Sequence, residues 1–217
     1  MKKNMYSLML SKNLIEEIDN IAYKQNTNRS NLINHILAQY LSLSTPEMKI
    51  KNIFEMLDML LADNETFLIQ NINSSSILCI KSSLSYKYKP AVKYSIELYK
   101  SNIEFLGSLK IQFRTQSEVL INTLDSFFEL WIKLETKHIH PFLKSKKIVY
   151  AIDINKFERS LLNPDKNFEN RILSKAILDY ITAFDSILKK YINNPNMSFS
   201  EIENDYLKFL NNFSLIL

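Results

Sequence analysis

The sequence predicts an α+β protein in two parts: a small strand–helix–helix module, then a larger domain with an antiparallel sheet packed by several α-helices. Three observations predict this. Apolar residues recur at helical spacing over residues 11–61 and again from residue 116 onward. Between them, residues 66–114 switch to a period of two. The stretch Ser42-Leu43-Ser44-Thr45-Pro46 interrupts both patterns and sets the expected boundary, giving residues 1–44 and 45–217.

Residues 5–10 place Tyr6, Leu8 and Leu10 on one face of a short strand. Ser11 suits an N-cap, and a helix is expected to about Gln25, with Leu14, Ile18, Ile21 and Ala22 as its apolar stripe. Asn26-Thr27-Asn28 reads as a turn, because asparagine tolerates the left-handed conformation that ends helices. A second helix is expected from Arg29 to Leu41, burying Leu32, Ile33, Ile36, Leu37 and Tyr40. Thr45 or Pro46 starts a third, to about Leu61, with Ile50, Ile53, Phe54, Leu57 and Leu60 inward.

The period-two region yields three strand faces: Leu78, Ile80, Leu84, Tyr86 and Tyr88; Val92, Tyr94, Ile96 and Leu98; Leu109, Ile111 and Phe113. Pro90 and Ser101-Asn102 punctuate these runs, which predicts an antiparallel meander. Helical spacing returns over Gln116–Lys137 at Leu120, Leu124, Phe127, Trp131 and Leu134. The apolar arc there is too wide for a surface helix, so it lies against the sheet or against a partner subunit. Short segments broken by Pro141 and Pro164 follow. A long helix over Asp165–Ile192 and a last one over Ser200–Phe213 close the chain.

Composition excludes several functions. The 217 residues contain one glycine, Gly107. Loops that cradle phosphate need several residues without side chains, so a P-loop or dinucleotide fingerprint is ruled out. A single cysteine, Cys79, makes neither an internal disulfide nor a thiolate zinc site, and it sits in an apolar run as inert packing. His138 and His140 would point apart in a helix with no third ligand near, so no metal is expected. No nucleophile, metal or cofactor motif assembles, which argues against an enzyme. No run reaches the roughly 18 apolar residues of a membrane span, and a cytoplasmic protein without cofactor is expected. Lys and Arg total 27 against 23 acidic residues, a balance that permits an anionic partner.

The strand, helix, turn and helix of residues 4–42 resemble the ribbon-helix-helix family of DNA-binding domains, the Arc/MetJ type. Asn26 stands where that family usually has glycine. About forty residues bury too little apolar surface to fold alone. Two copies that pair their strands and interlock their helices solve this, with Tyr6, Leu8, Leu10, Ile33, Ile36 and Leu37 as the dimer core. The resemblance implies a β-ribbon in the major groove, with Met5, Ser7 and Met9 facing the bases. The family favours Arg, Lys, Thr, Asn or Gln there; Ser7 alone can hydrogen-bond, while the methionines offer apolar contact or lie buried under the second domain. The N-terminus of the second helix implies phosphate contacts from Asn28, Arg29, Ser30 and Asn31, aided by Lys2, Lys3 and Lys12.

In the second domain the outward side of the expected sheet carries Lys81, Lys87, Lys89, Lys93, Lys110 and Arg114, with Glu97 among them. It is either a plain solvated face or a seat for nucleic acid, an anionic effector or a protein partner. The expected function is a dimeric, sequence-specific transcriptional regulator, most simply a repressor. A plasmid- or partition-type DNA-organising protein and an interaction adaptor that keeps the fold without DNA binding are the alternatives.

Overall fold

The computed structural model describes residues 5–41, 43–62, 64–70, 74–86, 90–143, 145–194, 196–213 and 215–217. The chain divides into two compact units, residues 1–49 and 50–217. The first regular element is a helix, α1 (Lys12–Lys24), followed by α2 (Arg29–Tyr40). Residues 5–10, expected as a strand, form no ladder in the single chain, since none of the six strands is drawn from them. A strand needs a partner edge for its backbone groups.

α1 ends as its sequence requires. Asn26 adopts φ 53°, the Thr27 amide reaches the Ala22 carbonyl at 2.9 Å, and the Asn26 amide reaches Tyr23 at 3.1 Å. This paired closure satisfies carbonyls the helix would otherwise leave open. Asn28 then caps α2 by accepting the Asn31 amide at 2.9 Å. Among the described residues of this unit, Ile18, Ala22 and Leu32 form the buried cluster, with Leu10, Ile21 and Ile33 packed partly against it. Ile36, Leu37 and Tyr40, expected to be buried, are 45%, 48% and 85% exposed. The hairpin of two helices is too thin to cover both sides of α2.

α3 (Pro46–Leu61) leads into the second unit and buries Ile50, Ile53, Leu57 and Leu61. Six antiparallel strands follow: β1 (Leu68–Gln70), β2 (Ile77–Ser83), β3 (Ala91–Leu98), β4 (Phe105–Phe113), β5 (Tyr150–Asp153) and β6 (Lys156–Leu162). Their order is β1-β2-β3-β4-β6-β5, so the meander continues past β4 through a hairpin the periodicity did not reveal. β6 pairs with β4, and β5 takes the edge. Asn155, at φ 56°, closes the two-residue turn between them.

α4 (Glu118–His138), α5 (Asn170–Asn193) and α6 (Phe199–Leu210) supply the helical side. β3 shows why: Val92, Tyr94, Ile96 and Leu98 are buried while Ala91, Lys93, Ser95 and Glu97 are only half-buried. The inward set joins Ile80, Leu109, Ile111 and Phe157 from neighbouring strands and the apolar faces of α3 to α6 in one core. At its centre Trp131, Phe127, Phe128, Phe157 and Phe184 meet edge-to-face and stacked, with centroids 4.8–6.5 Å apart. Most of the apolar arc of α4 is thus core within the chain, from Leu120 to Leu134, while Val119 at its start is exposed. Among the described residues no helix is long and apolar enough to cross a membrane.

Candidate nucleic-acid interface

In the first unit, the turn between the helices decides where the charged groups go. It folds the start of α2 back beside α1, so Arg29 meets Asp19. The Arg29 Nε donates to Asp19 Oδ1 at 2.7 Å and Nη2 donates to Oδ2. This bidentate pair holds the Asp19 carboxyl below its ordinary range and raises the guanidinium further. Two of three guanidinium nitrogens are therefore engaged, which leaves Nη1 for an outside acceptor.

The other expected contacts are placed as follows. The Asn28 side chain is spent on the cap. With the Asn31 amide capped and the Leu32 amide bonded to the Asn28 carbonyl, the amides of Arg29 and Ser30 have no partner among the described residues at the first turn. Ser30 and Asn31 are exposed. Lys12 lies 3.9 Å from Glu16 in an exposed pair. Met5, Ser7 and Met9 are all exposed, the methionines fully. Lys2 and Lys3 lie outside the described residues. Of the expected dimer core, Tyr6 and Leu8 are 83% and 62% exposed, Ile36 and Leu37 are half-exposed, and only Leu10 and Ile33 touch the buried cluster.

In the second unit, strand register assembles a charged surface. On the side of the sheet away from the core, Lys81 sits opposite Lys93, Lys93 opposite Gln112, and Gln112 opposite Lys156. One residue pair along, Ser95 faces Lys110, which faces Glu158. Glu158 lies 3.6 Å from Lys110 and 3.8 Å from Lys156. Lys81 and Lys93 make no ion pair among the described residues. Lys156 was not anticipated because β6 was not. Lys87 and Lys89 lie outside the described residues, and Arg114 falls just past the end of β4.

No family model, curated protein or solved structure matches the chain.

Two polar centres in the core were missed. Glu135 on α4 and Arg159 on β6 are fully buried and joined through Arg159 Nε to both carboxylate oxygens at 3.1 and 3.0 Å. The guanidinium also lies over the Tyr180 ring at 4.5 Å, and Tyr180 accepts from Trp131 Nε1 at 2.8 Å. Burial first, and then the Glu135 charge, keeps the Tyr150, Tyr180 and Tyr206 hydroxyls protonated well above the phenol range. Around α5, Asp185 accepts from Tyr94 at 2.8 Å and Ser82 at 3.2 Å and pairs with Lys189 at 2.6 Å. Both clusters tie helices to strands, and of their members Lys189 is partly exposed. A signal existed in each: Glu135 and Asp185 sit inside the apolar arcs of their helices, where a charge implies a buried partner.

His138 bonds to Glu203 at 2.5 Å, while His140 stacks on Tyr150, so the two histidines serve separate contacts. Among the described residues no three His, Cys, Asp or Glu side chains converge. Cys79 is buried, with its Sγ 3.1 Å from Ser95 Oγ.

Proposed function

We propose that the chain is a DNA-binding transcriptional regulator acting as a homodimer, in which the N-terminal segments of two copies pair as a β-ribbon ahead of their helix pairs, in the ribbon-helix-helix manner. One observation carries the reading. Among the described residues the first unit has one small buried cluster, Ile18, Ala22 and Leu32, while Tyr6, Leu8, Leu14, Ile36, Leu37 and Tyr40 are left substantially exposed. So small a core does not hold a fold, and a second copy covering those side chains would complete it. The Tyr6–Leu8–Leu10 alternation supports strand pairing as the means. The open amides of Arg29 and Ser30 at the positive end of α2 support phosphate contact beside the ribbon.

A gel-shift series with DNA selected from a random pool, at two salt concentrations, tests this. The expected result is preference for a short palindrome and affinity that falls steeply with salt. Arg29→Glu should weaken binding at least tenfold by placing a carboxylate at the phosphate position. Absence of any sequence preference at either salt overturns the repressor reading.

One observation favours a second reading, an interaction adaptor built on the same dimer. Met5 and Met9 offer no hydrogen bond to base edges, and Arg29 is already held by Asp19. Under that reading the dimer forms, but Arg29→Glu leaves all DNA behaviour unchanged.

A further inference from the structure

We propose that the open face of the six-stranded sheet binds the phosphate backbone of duplex DNA through a transverse row of Lys81, Lys93 and Lys156, with Lys110 beside it. This inference rests on the second unit alone and does not depend on the function proposed for the first.

Register carries the argument. Neighbouring strands lie about 4.8 Å apart, so Lys81 and Lys93, directly opposite each other on β2 and β3, hold two like charges side by side. Such a cross-strand pair is destabilising, and among the described residues no carboxylate neutralises either member. Gln112 continues the row as a neutral donor and Lys156 ends its cationic part. The nearby acids do not cancel it. Glu158 is shared by Lys110 and Lys156, so that trio retains one positive charge. Asp153, opposite Lys156 at the sheet edge, accepts the Ile154 amide. Glu97 lies two positions farther along β3 than Ser95, opposite Ile77 and Ser108 and away from the row.

The core does not need these lysines, because it lies on the other side of the sheet. A fold that carries an uncompensated like-charge pair on its open face is relieved when an anion bridges the pair. The surrounding residues indicate which anion. Ser95, Gln112 and Ser160 are small or polar donors on the same face, and its large exposed apolar side chains among the described residues, Leu68 beside Lys81 and Val149 beside Ser160, stand at the two edges and not at its centre. Protein–protein interfaces bury an apolar centre, whereas nucleic-acid interfaces are polar and strongly positive. Among the described residues of these strands no aromatic ring stands beside the lysines to stack an unpaired base, so the contact is to backbone phosphates and is indifferent to sequence.

The test uses the full chain and a random-sequence duplex, with affinity measured across a salt series. The double variant Lys81→Gln/Lys93→Gln should bind at least tenfold more weakly at low salt. Its log–log salt slope should flatten by about two, at about 0.9 for each phosphate left without its lysine. Its thermal midpoint should equal or exceed that of the parent, which separates weakened binding from weakened folding. The same weakening should appear in an Arg29→Glu background, so failure of the N-terminal reading is distinguishable from failure of this one. An unchanged affinity and slope in the double variant overturns the proposal, as does a parent protein that ignores random duplex at low salt. Displacement of the DNA by poly-glutamate at equal charge concentration also overturns it, in favour of an acidic polypeptide partner.

Discussion

Gly107 sits on β4 tight against β3: a Cβ there would lie 2.0 Å from the Glu97 carbonyl oxygen and 3.1 Å from the Leu98 Cα. Both obstacles are backbone, so neither can rotate aside. The register of β4 against β6 also shifts between Phe105 and Gly107, which places the glycine at an irregularity that bends the strand. Gly107→Ala is therefore expected to destabilise the chain by about 3 kcal/mol, the upper part of the usual overpacking range. Urea unfolding measures it, and a loss below about 1 kcal/mol would mean that the strands part more easily than this contact implies. Nothing in the sequence marks this need; a lone glycine excludes phosphate loops, yet its own purpose depends on which backbone passes beside it. Arg159 teaches the reverse. It interrupts the Phe157–Leu161 alternation and so concealed β6, although its charge at an inward position required a buried partner such as Glu135.

At the scale of elements, helix ends follow local chemistry closely. Ser117 caps α4, Asn28 caps α2, and Ser198 forms a reciprocal box with Glu201 at the start of α6. Ser198 Oγ accepts the Glu201 amide while Glu201 accepts the Ser198 amide at 2.7 Å, and this lowers the Glu201 pKa. Ser198→Ala is expected to cost about 1 kcal/mol at neutral pH. Its pH dependence follows from the sign of the shift. A carboxyl whose folded pKa lies below its unfolded value stabilises above the unfolded value, and that contribution vanishes as pH falls through the folded one. Asp19, Glu203 and Asp205 are lowered as well, by Arg29, by Lys137 with His138, and by Lys190 with Lys208. The parent's thermal midpoint should therefore drop as pH falls below the ordinary carboxylate range. Glu201→Gln should drop less steeply, because it removes the carboxyl that the Ser198 amide and hydroxyl favour in its ionised form. Parallel curves for the two proteins would remove the box from the account.

For the whole molecule, the two units differ in how much they can do alone. The second has a continuous core from α3 to α6; the first leaves large apolar side chains in water. If a second copy covers them, as proposed, folding of the first unit and dimerisation are one event. Sedimentation velocity should then give twice the chain mass at micromolar concentration, and the thermal midpoint of the first unit should rise with protein concentration. Ile36→Asp, which sets a charge among the uncovered side chains, should give monomers while the second unit still unfolds cooperatively. A parent that is monomeric throughout the micromolar range would remove the ribbon and, with it, the proposed route into the major groove.

By itself, the sequence determined what depends on neighbours a few residues apart. The spans of α1 to α4, the left-handed Asn26, and the inward residues of β3 all follow from short-range periodicity and capping chemistry. Tertiary structure alone decided what depends on partners far along the chain. It set the place of β6 between β4 and β5, the pairing of Glu135 with Arg159, the alignment of Lys81 with Lys93, and the engagement of Arg29 by Asp19. Local spacing reports which face of an element is apolar; the residue across from each side chain is chosen by long-range packing that no window of sequence contains.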